Sequence, residues 1–228
     1  MSSDKTVFAP PSPRIRGDVH VIVGRGESAE VYARFAGRIS ADGYRVTVGH
    51  DEDIDLASVQ YGQGPRVLVG VDAGALRALA FVAGHSGTVS GLVLVGLPGP
   101  DDPILRDWSA EIDGRASCPT QQGKLRDGGI VIPGHLVPEE LPVAEDEVIV
   151  DVPVLAFHGA DDPISPLSLA TTRYAAVGKA QLIVVDDGRH DVLNSVHHRS
   201  VAARVIQFLE SLRVDEVSRP HIFREVAV

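Results

Sequence analysis

The sequence predicts an α/β fold, with a mostly parallel central sheet and helices on both faces, from three observations. Six short, β-branched apolar runs alternate with segments of helical period, which is the signature of parallel strands joined by crossover helices. A glycine-flanked aspartate stands where the third run meets a helical segment, in Val69-Gly70-Val71-Asp72-Ala73-Gly74. The length of 228 residues, 44% hydrophobic and 23% charged, suits one substantial core, so one domain is the default.

In chain order, residues 1–17 form a polar N-terminal tail with three prolines. Strands are expected near 18–23, 44–48, 66–71, 91–96, 153–158 and 181–186. The first helix starts around Ser28, carries Val31, Phe35 and Ile39 on one face and stops at Gly43, a residue that readily ends helices. The second covers about 73–83. Weaker helical patterns follow Pro166 and Asp191, the last with Val201, Val205, Phe208, Leu209 and Leu212 on one stripe. Residues 98–151 are rich in Pro, Gly and acidic side chains and hold no sustained period; they read as a lid-like insertion over the site. The domain proper is 18–213, and 214–228 is an exposed C-terminal arm, with homodimer formation left open.

Composition narrows the partners. A formal net charge of -10 gives nucleic acid and anionic membranes nothing to attract, so a small-molecule substrate is expected. No apolar run reaches the roughly 18 residues of a membrane span, and the N-terminus lacks the apolar core of a signal peptide; a cytoplasmic protein is the expectation. Cys118, the single cysteine, has no intrachain partner and no sign of thiol chemistry. His190, His197 and His198 lack the accompanying carboxylate or thiol spacing of a metal site, so neither metal nor other cofactor is expected. Ser86, in Gly84-His85-Ser86-Gly87, has its second glycine one place too early for a nucleophile turn and follows a helix, so it reads as loop.

The Gly70-Val71-Asp72-Ala73-Gly74 turn has the form G-x-Nuc-x-G between strand and helix, the sharp bend that lifts a nucleophile above a sheet. Later, Val152-Pro153-Val154-Leu155-Ala156-Phe157-His158-Gly159-Ala160-Asp161-Asp162-Pro163 is followed by Leu182-Ile183-Val184-Val185-Asp186-Asp187-Gly188-Arg189-His190. With these parts in this order, residues 18–213 resemble an α/β-hydrolase of the lysophospholipase and monoacylglycerol-lipase sort. The resemblance implies that Asp162 is the triad acid and His190 the general base, with Asp161 the minority choice for the acid. It also implies that Asp72 occupies the place where most members carry serine.

The family's His-Gly pair after the first strand is replaced by Val23-Gly24-Arg25-Gly26. Main-chain N–H groups of Arg25 and Ala73, beside Gly24, are the candidates for an oxyanion hole. Arg25 alternatively offers its guanidinium to an anionic substrate, or points outward to solvent. A carboxylate attacking an ester would itself be the better leaving group, so ordinary esterase chemistry is not expected. Attack on an sp³ carbon in a halide, epoxide or strained lactone gives an alkyl ester that water can hydrolyse, as in the haloalkane dehalogenases and epoxide hydrolases of this fold. Their usual tryptophan after the aspartate is Ala73 here, and the insertion has no tyrosine, Trp108 being its one large aromatic. Three readings stay open: a covalent hydrolase, a lyase, cyclase or isomerase using Asp72 as acid or base, and a binding protein without catalysis. In the first, His190 between two carboxylates is held protonated until Asp72 is esterified.

Overall fold

The computed structural model describes residues 5–50, 64–85, 87–137, 141, 150–178 and 180–213. Seven strands form one sheet in the order β1-β3-β2-β4-β5-β6-β7: β1 (Thr6–Phe8), β2 (Asp18–Ile22), β3 (Arg45–Gly49), β4 (Arg66–Val71), β5 (Gly91–Val95), β6 (Val154–Gly159) and β7 (Ala180–Val185). Among the described residues only β1 runs antiparallel, pairing Thr6 with Val48 and Phe8 with Val46. The six expected strands are all present within a residue of their predicted ends. The seventh, β1, lies in the stretch read as tail: three residues at a sheet edge are too short to show a period.

The helices are α1 (Ala33–Ala41), α2 (Ala73–Gly84), α3 (Trp108–Arg115), α4 (Pro119–Asp127), α5 (Leu167–Ala176) and α6 (His198–Leu212). The first and last predicted helices each begin with a short 3₁₀ turn, Ala29–Tyr32 before α1 and Val192–Asn194 ahead of α6. Side chains alternate across a strand, and here the alternation sorts valine from leucine. Val67, Val69, Val71, Val93 and Val95 face α1 and α6 through Phe35, Ile39, Val205 and Leu209. Leu68, Leu92 and Leu94 face α2 and α5 through Ala78, Leu79 and Ala170. Burying each such side chain contributes about 1.5–3 kcal/mol, so the two-faced core follows directly from the strand pattern.

The insertion between β5 and β6 carries two helices that the sequence pattern did not reveal. In α3 the buried positions include Glu111, Ile112 and Arg115; in α4 they are Gln121 and Leu125. A helix whose buried face is charged or polar has no apolar stripe to detect. The stretch after α4 pairs with the loop beyond β2, through Ser28 N–H to Ile130 O at 2.9 Å and Ile132 N–H to Gly26 O at 2.7 Å.

Chain reversal decides where the site lies. From β2 the chain passes to β3 on one side, whereas from β4 it passes to β5 on the other. The carboxyl ends of β2 and β4 therefore flank the switch point, where open α/β sheets bind ligands. Ile22 is paired with Gly70, which brings the Val23–Arg25 loop beside Asp72. Gly159 is paired with Val185, which brings the loops carrying Asp162 and His190 together. Among the described residues no helix is long and apolar enough to cross a membrane. The 214–228 arm and Ser86 lie outside the described residues.

Candidate active site

β4 stops at Val71, and Asp72 turns the chain into α2 with φ 52° and ψ -127°. A non-glycine residue at positive φ costs on the order of 1–3 kcal/mol and persists where the surroundings impose it. Two close approaches impose it here. A Cβ on Gly70 would lie 2.4 Å from Gly74 O, and one on Gly74 would lie 2.3 Å from Ile22 O. Strand, turn and helix are thus packed too tightly at this bend for a side chain at position 70 or 74, and the N–H of Asp72 is fixed to Val95 O at 3.0 Å.

His190 leaves the loop after β7. Its N–H and that of Asp191 donate to Gly114 O and Arg115 O at 3.1 and 2.8 Å, so the end of α3 holds the histidine loop in place. His190 Nδ1 lies 2.8 Å from Asp162 Oδ2, and Nε2 lies 3.2 Å from Asp72 Oδ1. Asp162 Oδ1 accepts the N–H groups of Ile164 and Ser165 at 2.9 and 3.0 Å, and His158 Nε2 stands 3.3 Å from Oδ2. Asp161 is exposed and contributes backbone bonds to the same loops. Asp162 is therefore the carboxylate that meets His190.

Arg25 is turned inward onto Asp72 and is not solvated. Its Nε and main-chain N–H donate to Asp72 Oδ2 at 2.8 and 2.9 Å, and its Nη2 donates to Oδ1 at 2.7 Å. With His190, the carboxylate of Asp72 has four partners, three of them from one residue. The two side chains are 5% and 1% exposed. Nη1 of Arg25 reaches Val137 O at 3.2 Å. Gly24 N–H donates to Glu27 Oε2 at 3.2 Å, and the structure shows no hydrogen bond from Ala73 to Asp72. Of the two main-chain candidates, Arg25 N–H is the one that points at the carboxylate. Two surface hollows of about 490 and 310 Å³ are lined by other residues, and Asp72, Asp162 and His190 are all buried.

Charge is balanced within the cluster. Burial alone would raise the Asp72 carboxyl, but the Arg25 guanidinium and His190 outweigh it and hold it well below the usual carboxylate range. Burial would lower the His190 imidazole; Asp162 and then Asp72 overcome it and push its pKa up to about 10. Below that value His190 is a cation between two carboxylates.

Sequence reasoning missed the layer beneath. Arg115, on α3, donates to Glu27 Oε1 at 2.7 Å, to Glu111 Oε1 at 3.0 Å and to Arg25 O at 2.9 Å. Glu27 also accepts from Tyr32 Oη, and Glu111 from Gly134 N–H at 3.0 Å. This network fixes the loop that aims Arg25 N–H. The one legible signal was Glu111 four residues before Arg115, a spacing that usually marks an exposed helical pair. Next to His190, Asp191 is raised to about 7 by burial and by the charge of Glu27; it binds Asn194.

A family model for TAP-like proteins, a group of α/β-hydrolases, matches residues 134–219, the part holding Asp162 and His190. No curated protein matches the chain in sequence. Among solved structures, a soluble variant of monoglyceride lipase from Saccharomyces cerevisiae, in complex with a substrate analogue, is similar at 14% identity and TM-score 0.73, covering 92% of each chain. A thermostable carboxyl esterase from Bacillus coagulans is similar at 16% identity and TM-score 0.74, over 92% of this chain and 94% of its own. A protein described as a non-heme bromoperoxidase, BpoC of Mycobacterium tuberculosis, is similar at 16% identity and TM-score 0.70, over 94% of this chain and 97% of its own. At these identities the likeness establishes the α/β-hydrolase fold.

Proposed function

We propose that this chain is a hydrolase acting on a small organic substrate, with Asp72 as covalent nucleophile, His190 as base and Asp162 as its orienting acid. The observation that carries this reading is the strained, positive-φ Asp72 held 3.2 Å from a histidine whose other nitrogen is fixed by Asp162. Backbone strain concentrates at functional sites, and a base oriented by a buried carboxylate is the arrangement that nucleophilic catalysis needs.

In the first step Asp72 Oδ1 bonds to an sp³ carbon, and the carbon's bond to its leaving atom breaks, the electron pair departing with that atom. Oδ2 stays on Arg25 N–H. Esterification removes one of the two charges that keep His190 protonated, so the imidazole can pass its proton to the departing atom and then accept one from water. The hydroxide adds to Cγ of Asp72, negative charge gathers on Oδ2 against Arg25 N–H, and collapse expels the alkoxide, which takes the proton back from His190; the proton left on the Asp72 carboxyl then passes to the imidazole and restores the ion pair. The Arg25 side chain has to release Oδ1 first, because the fork occupies that oxygen.

A single turnover in ¹⁸O water, followed by mass spectrometry of the peptide containing Asp72, tests the route. The label is expected in the Asp72 carboxylate, and His190→Gln should accumulate the ester. Turnover with unlabelled Asp72 would end the covalent reading. It would favour a second one, supported by the saturation of Asp72 with donors: the His190 cation and Asp72 act as a proton-transfer pair in a lyase, cyclase or isomerase reaction.

A further inference from the structure

We infer that Arg25 is an exchangeable carboxylate receptor, and that the substrate carries a carboxylate which takes the place of Asp72 on its guanidinium. This identification of the substrate class rests on the hydrolase reading above, though the receptor itself does not.

The inference follows from what each partner would be left with if the pair opened. Asp72 would keep Arg25 N–H on Oδ2 and His190 Nε2 on Oδ1, two donors of which one is cationic. Among the described residues, the guanidinium would keep the carbonyl of Val137 at 3.2 Å and no anion. Removing one partner of a buried ion pair is strongly unfavourable because the other charge is left unpaired. Opening is therefore limited by Arg25, and a ligand that brings its own anion removes that limit. A neutral ligand does not. The geometry points to a carboxylate in particular, because Nε and Nη2 already grip the two oxygens of one, the planar, two-point match that guanidinium makes.

The exchange also separates two jobs that Arg25 combines. Its main-chain N–H, held by Arg115 on the Arg25 carbonyl, stays on Oδ2. Its side chain turns to the incoming carboxylate, which uncovers Oδ1 for attack. Without a carboxylate ligand the nucleophile stays covered, so the same contact that selects the substrate keeps the resting site closed. Of the other buried charged groups nearby, Glu27, Glu111 and Arg115 are committed to one another, Asp191 binds Asn194 and His190 keeps Asp162, which leaves Arg25 as the cation whose carboxylate partner can be exchanged.

Propionate and its neutral isostere propionamide test this by calorimetric titration on the full chain. Asp72→Asn and Asp72→Ala each remove the internal competitor, so both are expected to bind propionate about tenfold tighter than the wild type or better, a change worth about 1.4 kcal/mol. Propionamide should gain nothing, and Arg25→Gln added to either variant should abolish the gain. The unaltered protein supplies a third measurement: its Tm should rise with propionate and not with propionamide at equal concentration. Equal affinity of wild type and folded Asp72 variants, equal response to acid and amide, or binding that survives Arg25→Gln would each overturn the proposal. Variants at Asp72 are blind to catalysis. A propionate gain with a failed ¹⁸O test thus leaves the receptor and removes the hydrolase, and the reverse pattern does the opposite.

Discussion

Replacing Arg115 by Met should be among the most damaging single changes in the molecule. The side chain is 1% exposed, and it neutralises Glu27 and Glu111, themselves 4% and 1% exposed. Methionine approximates the aliphatic volume but leaves two carboxylates buried without their cation, a loss of about 3–5 kcal/mol when one partner of a buried pair is removed. For a domain of this size each kcal/mol lowers Tm by roughly 2–4 °C, so the expected fall is about 6–20 °C. Urea unfolding followed by circular dichroism supplies the free energy directly, and adding Glu27→Gln and Glu111→Gln to Arg115→Met should recover part of it, because neutral amides need no counter-charge. A loss below about 1 kcal/mol, the worth of an exposed ion pair, would refute the claim that this network is a buried, charge-balanced unit. The same variant should disturb the site, since Arg115 also holds the Arg25 carbonyl.

His190, raised to about 10 between Asp162 and Asp72 from an unfolded value near 6.5, contributes stability that is complete below about pH 6.5 and is lost as pH rises through about 10. Imidazole NMR should show it charged at pH 7.5 in the free protein, and a neutral ring there would contradict the two-carboxylate account; Asp72→Asn should lower its midpoint. Gly74→Ala puts a methyl group 2.3 Å from Ile22 O and should cost more than about 3 kcal/mol or prevent folding, whereas Gly37→Ala, inside α1 with no atom within 4 Å, should stabilise by about 0.4–1 kcal/mol. Comparable denaturation midpoints for these two variants would show that the close approach at the elbow is not what demands glycine.

What the sequence determined by itself was whatever depends on neighbours along the chain. The alternation of valine and leucine in β4 and β5 carries both faces of the core, and Gly70 marks the bend because a Cβ there would meet Gly74 and Ala75 a few residues on; Gly74 answers instead to Ile22 of β2, a close approach made by the fold. Asp162 and His190 were singled out by the resemblance of two short strand-and-loop motifs, and the fold brings their side chains within 2.8 Å of each other. β1 was not legible, being three residues at an edge, nor were α3 and α4, whose buried faces carry Glu111, Arg115 and Gln121 where a hydrophobic period would be sought. The direction of Arg25 was beyond any such reading: inward and outward arginines look alike in sequence. Only the pairing of β2 with β4, Ile22 beside Gly70, places it against a carboxylate 47 residues away, in a setting dry enough that the two charges hold each other. The aspartate at the elbow is a property of the sequence; that it is covered by its neighbour's guanidinium is a property of the fold.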